Sequence, residues 1–284
     1  MPESISVLVT ARNAEKTIQT SVRSALFALG KHDEVIVLLD QCTDETEKRL
    51  DAIRDSRVRK VVSETRLGIN KSRNALLDLS ANEFVAVLDA DDICLPWRFW
   101  ICRRRLGSGD LLFGTAIIFG SQLRPLPVLP QYPIALNPGQ VELALCLGNP
   151  LVHSTMFGRK VAIQTVGGYS DSLSEDYDLW LRMVAAGMSL RRLAIPVILY
   201  RFHAGQASQV EGFNETVSSN PTLRESKRKA VESVSKRSNL ENLESLDLEV
   251  ELRSKLYEAR PLMRLEHAGL PEPLRRWKNR KKSH

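Results

Sequence analysis

The chain opens with short, nearly continuous apolar runs that alternate with stretches in which apolar residues recur every three or four positions. Ile5 to Thr10 (Ile-Ser-Val-Leu-Val-Thr) reads as a strand, and Ile18, Val22, Ala25, Leu26 and Leu29 lay an apolar stripe along a helix from about Glu15 to Leu29. Glu34 to Leu39 is a second strand. Thr43 and Asp44 read as caps of the following helix, with Glu47 three residues after Asp44 at capping-box spacing. Val58 to Val62, a helix over Ile69 to Leu79, and the apolar Phe84 to Leu88 complete this part. Strands that are apolar throughout are covered on both faces. The order therefore predicts an α/β fold with a Rossmann-like, mainly parallel sheet flanked by helices, right-handed crossovers, and chemistry at the carboxyl ends of the strands.

Beyond about residue 110 the pattern is less regular. Leu111 to Phe119 reads as a strand, Pro125 to Pro138 with its five prolines as an extended loop, and Tyr177 to Ala186 as a helix closed by Gly187. Leu190 to Ile195 and Val197 to Phe202 read as two late strands separated by Pro196. After about Gly205 the composition turns charged, and Thr222 to Lys236 and Leu240 to Met263 are expected to be helical. The leucines there keep no strict heptad, so no long coiled coil is predicted. Residues 206–284 are thus a helical, basic C-terminal extension on a domain spanning 1–205.

Composition adds little to the fold and more to the setting. Hydrophobic residues at 43% and charged residues at 26% suit a globular protein. No signal peptide and no apolar run near the roughly 20 residues of a spanning helix are read, so a cytoplasmic location is expected. Cys42, Cys94, Cys102 and Cys146 form no CxxC pair, and buried free thiols are expected. The net charge of +6 is concentrated in Leu274 to Lys282. Such a stretch can meet anionic lipid, nucleic acid or a partner, or stay a solvated tail.

Polar residues follow four successive strands. These are Thr10-Ala11-Arg12-Asn13, Asp40 to Asp44, Arg66 to Asn70 leading to Arg73 and Asn74, and Asp89-Ala90-Asp91-Asp92. In an extended segment Asp89 and Asp91 point to the same side, a geometry that can hold one hard divalent cation and, through it, phosphate. Arg66 and Arg73 add positive charge for a diphosphate, and Asp40 can accept a hydrogen bond from a base or ribose. Each group alone has a plainer reading: Asp-x-Asp-Asp before a proline is a common turn, Asp40 and Asp44 can be turn and cap, and Arg73 a surface residue. Their recurrence at four strand ends favours a site.

These motifs, together with Gly68, Pro96, Val166-Gly-Gly-Tyr169, Glu175-Asp-Tyr-Asp-Leu-Trp180 and Tyr200-Arg-Phe-His203 with Ser208, resemble family 2 of the inverting glycosyltransferases, which have the GT-A fold. The resemblance covers roughly residues 4 to 208. It implies a nucleotide-binding half over 1–110 and an acceptor half over 111–205. It also implies transfer of a sugar from a UDP or dTDP donor to a saccharide or lipid-linked acceptor, in bacterial cell-surface polysaccharide or glycolipid synthesis. Position by position, it puts Thr10, Arg12 and Asp40 in the nucleoside pocket, Arg73 near the base or diphosphate, and Asp89 on the ribose side. Asp91 would ligate Mg²⁺ or Mn²⁺, with His203 brought toward the metal or diphosphate, and Asp92 a neighbour. Asp176, with Glu175 beside it, would be the general base. The chain departs from the family pattern at Leu39, Gln41 and Cys42 around Asp40, and at Ala11.

An inverting transfer needs a base for the acceptor hydroxyl, and a helix N-terminus favours the ionised carboxylate that such a base requires. An acidic first turn is also ordinary helix stabilisation. Asp178 is expected to be structural, Trp180 core, and His153 an ordinary satisfied or surface histidine. The helical C-terminal region is a candidate for peripheral membrane contact or for a homo-oligomer contact, and no nucleic-acid partner is expected. No GxGxxG and no GxxxxGK[ST] occurs, which argues against a dinucleotide oxidoreductase and a P-loop phosphotransferase. A non-catalytic nucleotide-sugar-binding or scaffold protein on the same fold is the remaining alternative.

Overall fold

The computed structural model describes residues 4–120, 129–130, 135–203 and 219–238. The expected helix over Leu240 to Met263, Ser208, the basic run Leu274 to Lys282 and most of the proline-rich loop lie outside them. The elements are β1 (Ile5–Ala11), α1 (Ile18–Ala28), β2 (Glu34–Asp40), α2 (Thr46–Asp51), β3 (Val58–Ser63), α3 (Ile69–Leu79) and β4 (Phe84–Val87). There follow β5 (Ile93–Cys94), α4 (Arg98–Leu106), β6 (Leu111–Phe119), β7 (Leu129–Pro130), α5 (Pro138–Leu147), a 3₁₀ turn at His153–Thr155 and β8 (Phe157–Arg159). The last are α6 (Lys160–Thr165), α7 (Glu175–Ala185), β9 (Leu190–Arg201) and α8 (Pro221–Arg237).

The strands make one sheet in the order β3-β2-β1-β4-β8-β6-β9-β5, with β7 paired to β6. The first four are parallel, Val7 lying opposite both Val35 and Ala86. β8 is antiparallel to β4 and β6, and β9 runs parallel to β6. Successive residues of β1 enter opposite cores, which is why the strand is apolar at nearly every position. Val7 and Val9 pack with α1, α2 and α4 on one face, while Leu8 packs with α3, α5, α6, α7 and α8 on the other. α8 supplies Leu223, Ala230 and Val234 to that second core, and Ser226 donates to the buried Asp178 at 2.6 Å.

Three expectations change. Leu190–Arg201 is one strand rather than two: the register shifts on either side of Thr115, which faces Pro196, so the proline's missing N–H falls at an irregularity of the ladder. The capping box at Asp44 and Glu47 does not form. Glu45 is the N-cap of α2, Asp44 instead accepts from the Thr46 amide at 3.0 Å and the Glu15 amide at 3.1 Å, and Glu47 pairs with Lys60. α1 begins at Ile18, because residues 15–17 form a turn against Asp44 and Thr46. Cys94, Cys102 and Cys146 are buried free thiols and Cys42 is half-buried. Among the described residues no helix is long and apolar enough to cross a membrane.

Candidate active site

The loops after β1 and β2 are built together. Asn13 and Gln41 take the left-handed region at φ 51° and 49°, and the Thr43 amide donates to the Asn13 side chain at 2.9 Å. This turns Thr10 and Arg12 into a cleft of about 590 Å³ that also takes in Asp89, Asp91 and His203. Lys16 and Arg201 line the same cleft. Arg201 belongs to the Tyr-Arg-Phe-His run noted in the sequence. Lys16, in the turn before α1, carried no signal of its own. Asp40 does not line this cleft: its two carboxylate oxygens accept the Leu67 and Gly68 amides at 2.7 and 3.1 Å and hold the loop that starts α3.

The acidic run is a turn, not the extended segment expected. Pairing with β1 ends as the Leu88 amide reaches Leu8, and the Asp92 amide then closes back on the Asp89 carbonyl at 3.1 Å. Neighbours fix this turn. The Asp89 amide donates to Ser154 Oγ at 3.1 Å, Ser21 Oγ donates to the Asp89 carbonyl at 2.9 Å, and Arg201 Nε donates to the Asp91 carbonyl at 2.8 Å. Asp92 is buried and accepts the Arg201 amide at 2.8 Å. Asp91 turns into the cleft, 2.9 Å from His203 Nε2.

Asp89 reaches further. It also lines a second cavity, of about 290 Å³, with Asp176, His153, Tyr200 and Ser154. Asp176 is the second residue of α7; its carboxylate accepts its neighbour Tyr177's amide at 2.7 Å and the Asn149 side-chain N–H at 3.2 Å. Tyr200 opens the Tyr-Arg-Phe-His run noted in the sequence but was given no role there, Asn149 was not singled out, and His153 was read as a satisfied or surface histidine. It is in fact buried between Trp180, which it stacks on at 6.0 Å, and the Tyr169 hydroxyl, 2.8 Å from its Nε2. These contacts join residues far apart in the chain and leave no periodic trace.

Arg73 lies next to Asp89. It does not line the large cleft but is buried beneath it, pairing closely with Glu175, 3.8 Å from Asp89 and 5.5 Å from the Tyr169 ring centre. A guanidinium taken out of water needs anions around it, which draws it inward to these two carboxylates. Next to it, Asn74 clasps the Tyr169 backbone from both sides, at 2.7 and 2.8 Å. The approach is close enough that a Cβ on Gly168 would stand 2.5 Å from the Asn74 amide, at a positive φ of 69°. The motifs Ser72-Arg-Asn74, Val166-Gly-Gly-Tyr169 and Glu175-Asp176 therefore meet in one cluster.

Comparison with known proteins decides what this arrangement belongs to. Residues 6–102 match the Glycosyl transferase family 2 domain. The amylovoran biosynthesis glycosyltransferase AmsE of Erwinia amylovora is 30% identical over 213 residues, 70% of this chain and 76% of that protein. The chain belongs to glycosyltransferase family 2. A second relative, the UDP-Glc:alpha-D-GlcNAc-diphosphoundecaprenol beta-1,3-glucosyltransferase WfaP of Escherichia coli, is 26% identical over 207 residues, 72% of this chain and 80% of that protein. In three dimensions, S. aureus TarS 1-349 in complex with UDP-GlcNAc superimposes with a TM-score of 0.61 at 18% identity, covering 97% of this chain and 79% of TarS. The fold is GT-A, and the protein is a glycosyltransferase.

The electrostatics of this glycosyltransferase follow from crowding three carboxylates at one turn. Asp89 keeps 31% of its side chain open to the cavities, yet the protein mass around it raises its pKa to about 6. Arg73 opposes that rise, and the charges of Asp91 and Asp176 add to it. Burial, then the charge of Asp89, pushes Asp92 well above the carboxylate range. His153 moves the other way. Burial and then the Arg73 and Arg98 charges hold it neutral, well below the ordinary histidine value.

The unfolded chain protonates this histidine near its ordinary pKa of about 6.5 while the folded protein does not, so the contribution of His153 is complete above that pH and declines below it. Asp89 and Asp92, whose pKa values are raised in the fold, act in the opposite sense over the same range, so the claim concerns His153 alone: the stability of the wild type relative to His153→Gln is expected to fall as pH drops from about 6.5. Urea midpoints across the pH range check this; identical slopes in the two proteins would contradict it.

Proposed function

We propose that the protein is a metal-dependent, inverting hexosyltransferase that moves a sugar from a UDP or dTDP donor to a saccharide or lipid-linked acceptor. The observation that carries the reading is that Asp89 lines both the larger cleft and the smaller cavity, so a donor in one and an acceptor in the other would meet at this residue. The names of WfaP and TarS, with UDP-Glc and UDP-GlcNAc, support a UDP donor, and those of AmsE and WfaP support work in polysaccharide or lipid-linked glycan synthesis.

In this reading the larger cleft takes the nucleotide. Thr10 and Arg12 contact the nucleoside, Asp40 shapes the pocket from behind through the Leu67–Gly68 loop, and Asp89 meets the ribose side. Arg12, Lys16 and Arg201 set positive charge around the diphosphate. Asp91 and His203 offer an oxygen and a nitrogen to Mg²⁺ or Mn²⁺. Among the described residues no group of three or more His, Cys, Asp or Glu could hold a metal by itself. Phosphate oxygens and water would complete the shell, which is how Mg²⁺ commonly binds. When bound, the cation supplies Lewis-acid stabilisation of the departing diphosphate.

The smaller cavity takes the acceptor. Its hydroxyl oxygen attacks the anomeric carbon as the carbon–diphosphate bond breaks on the opposite side, and its proton passes to Asp176. Asn149 and the Tyr177 amide hold that carboxylate in place. Arg73 is a positioning residue, tying Glu175, next to the base, to Asp89 at the donor. The basic stretch 274–282 and the chain's own copies are further candidate contacts.

Asp176→Asn keeps the shape and removes the proton acceptor, so transfer should fall about 10²- to 10⁴-fold with donor binding retained. Unchanged turnover would remove Asp176 as the base, and no turnover by the wild type over a broad nucleotide-sugar panel would favour a binding or scaffold role. In a thermal-shift assay, UDP is expected to stabilise the wild type more with Mn²⁺ than without, and Asp91→Ala to lose that difference. A metal effect that survives Asp91→Ala would place the ligand elsewhere.

A further inference from the structure

Every strongly exposed phenylalanine or tryptophan among the described residues lies on α1 or α4: Phe27 at 78% exposure, Trp100 at 59% and, just before α4, Trp97 at 44%. The two helices cover the same face of the sheet, where Leu26 of α1 and Phe99, Cys102 and Leu106 of α4 share one core. Their outward sides are correspondingly unburied. Isolated exposed aliphatics are ordinary, but three large aromatics gathered on one face call for a partner.

The charge on that face that enters no salt bridge is positive. Arg23 and Arg54 stand with Phe27 at a shallow groove, and Arg104 lies over the Trp100 ring at 4.4 Å. Arg23, Lys31, Arg54, Arg104 and Arg105 are exposed and enter no salt bridge among the described residues. The acids between them are already engaged, Asp33 by Arg103 at 2.5 Å and Asp55 by Arg57 at 2.8 Å. Flat aromatic rings with flanking arginines suit the headgroup region of a bilayer: the ring occupies the boundary of the acyl chains while the guanidinium reaches lipid phosphate. An acidic protein surface would satisfy the arginines but gives no reason for Phe27 and Trp100 to stand in water.

We propose that the α1–α4 face is a peripheral membrane-docking surface, with Phe27 and Trp100 entering the interface of an anionic bilayer and Arg23, Arg54, Arg104 and Arg105 meeting its phosphates. Trp97, whose indole N–H donates to the Pro196 carbonyl at 2.7 Å, fixes the start of α4 five positions beyond Asp92. The docked face therefore adjoins the turn that carries the site, and its lipid binding is measured without any turnover.

The test uses the full chain in flotation with phosphatidylcholine vesicles and with vesicles containing phosphatidylglycerol. Wild type is expected to float only with the anionic vesicles, with Trp fluorescence shifting to the blue. Phe27→Ser and Trp100→Ser should each weaken binding about tenfold, and Arg23→Glu with Arg104→Glu should abolish it, while UDP binding and thermal stability stay at wild-type values. A parallel variant with Arg275, Arg276, Lys278, Arg280, Lys281 and Lys282 changed to Gln separates the C-terminal stretch. Binding lost on that change but untouched by the helix-face variants would overturn the proposal. So would a wild type that binds no vesicle, including one that sediments as a dimer and becomes monomeric with Trp100→Ser, which would make the face a contact between copies.

Discussion

A guanidinium withdrawn from water must be surrounded by negative charge, and Arg73 meets this requirement in a way that joins the two halves of the molecule. One of its carboxylates, Asp89, follows β4 in the parallel part of the sheet. The other, Glu175, opens α7 and stands next to Asp176. Arg73 itself sits on α3, held beside Tyr169 by Asn74. Moving any of these elements would leave a buried charge unpaired. The distance between the acidic turn after β4 and the first turn of α7 is thus set by a buried ion pair and not only by sheet geometry.

The same constraint explains how the acidic turn tolerates its own charge. Three carboxylates within four residues repel one another, and the structure separates their roles. Asp92 is buried and held toward neutrality, Asp91 faces the open cleft with His203, and Asp89 lies between two cavities under the influence of Arg73. The sheet supplies the frame for this division, since its parallel half delivers the turn and its antiparallel β8 and long β9 bring Ser154 and Arg201 against it.

The first half of the fold was legible in the sequence because buried parallel strands leave unbroken apolar runs. α3 and β6 have the bounds the pattern predicts. What was misread depended on contacts that no local pattern records. Pro196 sits inside a strand because β6 shifts register opposite it, and Asp44 answers the turn before α1 instead of capping α2. Of the candidate site, Thr10, Arg12, Asp89 and Asp91 could be read as sharing one edge because they lie at strand ends, and His203 through the Tyr-Arg-Phe-His run; all five line one cleft. The second cavity was not legible as a unit: Asp89, His153, Asp176 and Tyr200 reach it from four separate segments. The inward turn of Arg73 was hidden too, because it is settled in part by Glu175, 102 residues away.

The direct measurement of the central claim is the kinetics of Arg73→Met beside its UDP affinity. If the arginine holds the two half-sites in register, UDP binding should stay within a few-fold of wild type while kcat falls about a hundredfold, and Arg73→Lys should recover part of the loss. Weakened UDP binding with kcat unchanged would contradict this and return Arg73 to the donor pocket.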